Sequence, residues 1–234
     1  MTATLLTEPF PLTGNQDVDL TTNGYKWYFD NSASQVLNWT VSSSKWSHPT
    51  LKSVETQDDF KLVFKNIAEF INVDFNFLGY VDTTANGYGY IRAYQLGSNI
   101  NISFSYNGTS GGVTVADNFF GSSTTKTAFC NFPDKDADSI YSGAPSDVWM
   151  NYNNTFIQGL TFEMGTNGFG LLLHEVLHGL GLKHPHDDGG TGRPTYQSAG
   201  FQFIDRQWVT RPAMAATGLR PTASAPRTDR PAWR

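Results

Sequence analysis

The chain has 234 residues, enough for one large core, and its 16% charged and 14% aromatic residues suit a loop-rich, sheet-containing protein more than a helical bundle. Its net charge of −5 offers no broad basic surface, so nucleic acid is not an expected partner, and no apolar run is long enough to span a bilayer. The single cysteine, Cys130, excludes an intrachain disulfide framework and a four-cysteine zinc site, leaving imidazole and carboxylate to hold any metal.

The N-terminal stretch MTATLLTEPFPLTGNQ lacks a basic segment followed by an apolar one, so no cleavable secretory signal is expected there. From Thr56 to Ile71, apolar residues at Phe60, Val63, Phe64, Ile67, Phe70 and Ile71 have the spacing of an amphipathic helix. Short alternating runs follow at 73–81, 88–94, 101–106 and 112–117, separated by Gly, Asn and Ser turns, and they read as strands. TAFCNF at 127–132 stops at Pro133, and DVWMNY at 147–152 reads as the last strand before a second helix. Helix, several strands and helix in that order predict an α+β fold with a mixed sheet. One main domain is expected over residues 1–205. Residues 206–234 hold six Arg, no Lys, one Asp and four of the eleven prolines without apolar periodicity, and are expected to be a disordered or extended tail.

Four of the five histidines fall at positions 174, 178, 184 and 186. From Phe169, a stripe of Leu172, Leu173, Val176, Leu177 and Leu180 predicts a helix facing a core, with His174 and His178 one turn apart on the other side, able to reach one ion. Glu175 lies beside that position without being an obvious ligand, where its carboxylate can take a proton from an activated water and later pass it to a leaving amine. Two ligands from one helix leave a tetrahedral zinc site one protein ligand short. Gly181 can take the left-handed conformation that ends the helix and turns His184 towards the same ion, while Pro185 discourages continuation. His186, two residues further on, is the weaker candidate for the third ligand, and His48 in KWSHPT reads as a loop or surface histidine.

HEVLHGLGLKHP has the H-E-x-x-H-x-x-G-x-x-H form of the metzincin zinc endopeptidases, and the chain resembles their serralysin branch in LTGNQDVDLTTNGYKW at 12–27, SDVWMNYNN at 146–154, GTNGFGLLLHEVLHGLGLKHPHDDG at 165–189 and GRPTY at 192–196. The resemblance spans most of residues 12–205. It implies that His174, His178 and His184 ligate zinc and that Glu175 is the general base for peptide-bond hydrolysis. It also implies a twisted, mixed five-stranded sheet above the active-site helix, preceded by an N-terminal helix, with a lower subdomain after the third histidine. Protein or peptide substrates would add to an edge strand, for which Ala128 to Phe132 is the candidate, with an ordinary interior strand as the equal alternative for that segment, and the protein would be secreted; a monomer is expected.

Two features depart from that pattern. Serralysins carry a Met-turn of the form Ser-x-Met-Ser-Tyr some thirty residues after the third histidine; Met214 sits near that distance, but Ala216 stands where the tyrosine belongs. The family's C-terminal calcium-binding repeats are also missing; the tail's shift from Lys to Arg at the same place points to a truncated or frameshifted end, with a genuine divergent extension as the alternative, and a zinc-binding pseudo-protease with little turnover is the alternative function. CNFPD around Cys130 has the C-x-x-P-D spacing of an inhibitory cysteine switch, yet it lies inside the catalytic region without a preceding Pro-Arg, so a buried structural cysteine is preferred. DKDAD at 134–138 alternates carboxylates that would suit Ca2+; without a Gly and a terminal Glu to complete a calcium loop, a solvated loop is the preferred reading.

Overall fold

The computed structural model describes residues 3–5, 8–29, 35–43, 54–82, 97–105, 109–110, 113–114, 127–133, 145–151 and 154–200. The strand expected at 88–94, His48, the acidic run 134–138, Met214 and the tail 206–234 lie outside the described residues.

A five-stranded, mostly parallel sheet forms the centre. It is built from β3 (Val36–Ser43), β4 (Asp74–Asp82), β5 (Ile100–Ser105), β8 (Ala128–Cys130) and β9 (Val148–Asn151), in the spatial order β4-β3-β5-β9-β8. Neighbours run parallel except β8, which pairs antiparallel with β9 at one edge through Ala128↔Met150 and Cys130↔Val148. Two separate small ribbons are present: β1 (Thr4–Leu5) with β2 (Trp27–Tyr28), and β6 (Thr109–Ser110) with β7 (Val113–Thr114). The helices are α1 (Gln16–Thr21), α2 (Val54–Ala68), α3 (Thr155–Gln158) and α4 (Asn167–Gly179). Among the described residues, no helix is long and apolar enough to cross a membrane.

The central strand β3 follows from its own alternation. Leu37, Trp39 and Val41 point to one face and are at most 2% exposed, meeting the α2 stripe of Phe60, Val63, Phe64 and Ile67. Trp39 stacks on Phe64 with ring centroids 4.2 Å apart and meets Phe77 of β4 at the same separation. Truncating Phe64 to alanine would cost about 3–5 kcal/mol at such a site. Between Trp39 and Thr40 the register with β4 slips by one residue, leaving Leu78 bulged and exposed while Phe75, Phe77 and Tyr80 all reach the core. Gly79, at φ 109°, supplies the backbone turn this bulge needs.

The second long helix, α4, starts at Thr166, whose side chain caps the backbone N–H of Phe169, and packs against α2, β8 and β9. Its buried face is rotated from the expected stripe. Phe169, Leu171, Leu172, Glu175, Val176 and Gly179 are buried, whereas Leu173, Leu177 and Leu180 are only partly covered. The rotation carries Glu175 inward, beside the histidines.

Candidate metal centre

Three imidazoles from two segments converge. The Nε2 atom of His174 lies 3.1 Å from that of His178 and 3.0 Å from that of His184. A tetrahedral ion with bonds of about 2.0–2.1 Å to nitrogen sets its donors about 3.3 Å apart, so a shift of a few tenths of an ångström accommodates one.

The helix fixes the first two ligands, and its end delivers the third. Gly181 donates to the carbonyl of His178 at 2.8 Å and Leu182 to that of Leu177 at 3.0 Å, the paired bonds of a Schellman motif. Gly181 takes φ 98°, and a Cβ there would stand 2.2 Å from the carbonyl oxygen of Tyr25, so both conformation and space demand glycine. The chain then reverses and His184 faces His174.

The outer ring nitrogens decide what the inner ones present. Nδ1 of His178 is 2.6 Å from the carbonyl oxygen of Leu182, which can only accept, so Nδ1 carries the proton and Nε2 is bare in the neutral ring. Nδ1 of His184 lies 3.1 Å from Oδ2 of Asp187, with the same consequence. Burial, first among the causes, holds both rings below the ordinary histidine range and favours the neutral form. Two lone pairs therefore face the Nε2 of His174, which has at most one proton to offer. A cation satisfies all three nitrogens at once, and the group can hold a metal ion.

His186 does not join this cluster. It is exposed, and its ring stacks on that of His184 with centroids 5.0 Å apart. With His184 and Asp187 it forms a second group of ligand-type atoms, which shares His184 with the first.

Glu175 is 5% exposed, and burial pushes its carboxyl up to about 8. A cation held by the adjacent imidazoles would draw it down again, since an opposite charge favours the carboxylate. The histidines, Glu175 and Asp187 line a cleft of about 400 Å³, whose opposite wall is Ala128, Phe129, Cys130 and Phe132 on and just beyond the edge strand β8. Phe132 meets the His178 ring edge-on at 5.7 Å. Burial, then the Glu175 and Asp147 carboxylates, push the Cys130 thiol well up, which disfavours the thiolate a metal would need.

Three supporting residues escaped the sequence reading: Asp187, Lys183 and Ser146. Asp187 left one signal, an acid three residues after the third histidine. Comparison of the chain with protein-family models and with curated proteins found no match in either.

Proposed function

We propose that the chain is a zinc-dependent endopeptidase of the metzincin class, similar to serralysins, that hydrolyses peptide bonds in proteins. The observation behind this reading is the convergence of three imidazoles, two of them held with Nε2 bare, beside a buried carboxylate in a cleft walled by a sheet edge. His174, His178 and His184 would hold the ion and keep the site cationic. When bound, zinc supplies a lowered pKa for water and polarisation of a carbonyl oxygen. Glu175 takes the proton released during attack and returns it to the leaving amine, a role its place beside the ligands allows. The β8 edge offers backbone groups to an extended substrate as an added strand, setting the scissile bond across the cleft. The metzincin fold and action outside the cell belong to the same reading.

A second reading is a zinc-binding pseudo-protease. One observation favours it: Ala216 stands where the Met-turn tyrosine of the resembled family belongs. Incubating the full chain with a quenched peptide library, with zinc and then with chelator, separates the two. Zinc-dependent cleavage supports the endopeptidase; stoichiometric zinc uptake without cleavage supports the pseudo-protease.

A further inference from the structure

An α-helix holds His174 and His178 at a fixed spacing, but His184 sits beyond the helix in a segment of turns running to residue 200, where no strand or helix fixes it. Something else must hold the third ligand.

Lys183, its immediate neighbour, is 4% exposed, which is rare for lysine. Its ammonium donates to the carbonyls of Leu20 at 2.7 Å, Asp187 at 2.8 Å and Pro194 at 3.1 Å, with the carbonyl of His184 itself at 3.3 Å. These oxygens come from the end of α1, from the ligand, from the residue that orients the ligand's ring, and from Pro194 further along the turn segment. Charge-assisted bonds of this kind are the strong ones, and a buried ammonium demands them. The backbone repeats the tie. The N–H of Lys183 donates to Thr21 at 2.8 Å, that of Asn23 to Gly181 at 3.0 Å, and the Thr191 hydroxyl to the carbonyl of Asn23 at 2.6 Å.

We propose that Lys183 is a positioning residue for the metal centre: by gathering carbonyls of Leu20, His184, Asp187 and Pro194, it sets where His184 presents its nitrogen. The inference rests on the metal-centre reading above. Its sign is opposite to that of simple electrostatics. Removing a positive charge next to a ligand would by itself tighten the binding of a cation. Loss of positioning weakens it.

The test uses the full chain and its Lys183→Met variant, which keeps the apolar stem and removes the donors. Zinc affinity is read by competition with a chromophoric chelator, coordination geometry by the visible spectrum of the Co2+-loaded protein, and fold by melting of the metal-free protein. The expected result is a loss of zinc affinity of about 10–100-fold, as for groups that orient metal ligands, with an altered cobalt spectrum. Phe64→Leu, in the core away from this segment, should lower the metal-free melting temperature and leave affinity and spectrum alone. Zinc bound by the Lys183→Met variant as tightly as by wild type, or more tightly, with an unchanged cobalt spectrum, would overturn the proposal. If that variant does not fold, Lys183→Arg, which keeps the charge but not the compact head, is judged by the same two readouts and the same criteria. A wild-type chain that takes up no zinc overturns the metal-centre reading together with this inference. Wild-type uptake matched by the lysine variants overturns this inference alone.

Discussion

Oδ2 of Asp187 lies 3.1 Å from Nδ1 of His184, and this contact determines which nitrogen of the third imidazole is left bare. The other oxygen of Asp187 accepts from the N–H of Gly189 at 2.9 Å, so one carboxylate orients the ring and shapes the turn that follows. Asp187→Ala should lower zinc affinity by about 10–100-fold. Asp187→Asn should lose less, because its single carbonyl oxygen can serve one of the two donors. Chelator competition on both variants checks the order, and equal affinity in wild type and Asp187→Ala would remove Asp187 from the centre.

Glu175→Gln separates holding the ion from using it. The variant keeps all three imidazoles and should bind about one zinc per chain, while peptide hydrolysis falls by about two to four orders of magnitude for want of a proton acceptor. Metal analysis and peptide cleavage on the same preparation give both numbers. Full activity in the glutamine variant would dismiss the proposed role of Glu175.

Ser146 is fully buried at φ 63°, a conformation L-residues seldom adopt, and its hydroxyl donates to the carbonyl of Gly179 at 2.6 Å while accepting from Trp27 Nε1 at 3.1 Å. It thereby braces the end of α4 against the start of β9. Ser146→Ala keeps the backbone strain and loses the hydroxyl, at a cost of about 1–3 kcal/mol. Ser146→Gly also loses it but removes a left-handed penalty of about 1–2 kcal/mol. Urea unfolding should rank wild type above the glycine variant and the glycine above the alanine variant. An alanine variant as stable as wild type would contradict the brace.

Much of the centre was legible because its information is local. The offsets of His174, His178, Gly181 and His184 translate directly into helix phase and a helix end, and α2 announced itself by its apolar period as far as Ile67, whereas Phe70 and Ile71, expected to continue the stripe, lie past its end at Ala68 and are exposed. The central strand β3 was missed although Leu37, Trp39 and Val41 alternate in plain view; asparagine, threonine and serine between them resemble loop chemistry until Thr40 is found bonded to Asn101 inside the sheet at 2.9 Å. The rotation of α4 depends on what β8, β9 and α2 offer it. Lys183 was hidden for the same kind of reason: its partner Leu20 is 163 positions away, and a lysine beside a histidine carries no local sign of burial.

Acid should probe the N-terminal anchor. Asp19 accepts from the backbone N–H of Thr13 at 2.9 Å, from the Thr13 hydroxyl and from the N–H of Gly14, and it faces the buried guanidinium of Arg193 at 3.5 Å. The Thr13 backbone bond leads the causes that hold its carboxyl below the usual value, outweighing burial. A depressed folded pKa contributes stability that is present above the unfolded value of about 3.9 and is lost as pH falls through the folded one. The stability gap between wild type and Asp19→Asn should therefore be widest near neutrality and close as pH drops below about 4. Denaturant unfolding across that range measures it, and a gap that stays constant would contradict the linkage.

The most direct measurement is zinc stoichiometry in wild type and His178→Ala, by metal analysis after dialysis against a weak chelator. Three imidazoles meeting at one ion predict about one zinc per wild-type chain. They predict its near-complete loss when His178 is removed. Zinc retained by His178→Ala at the wild-type level, or no zinc in the wild type, would contradict the three-histidine centre.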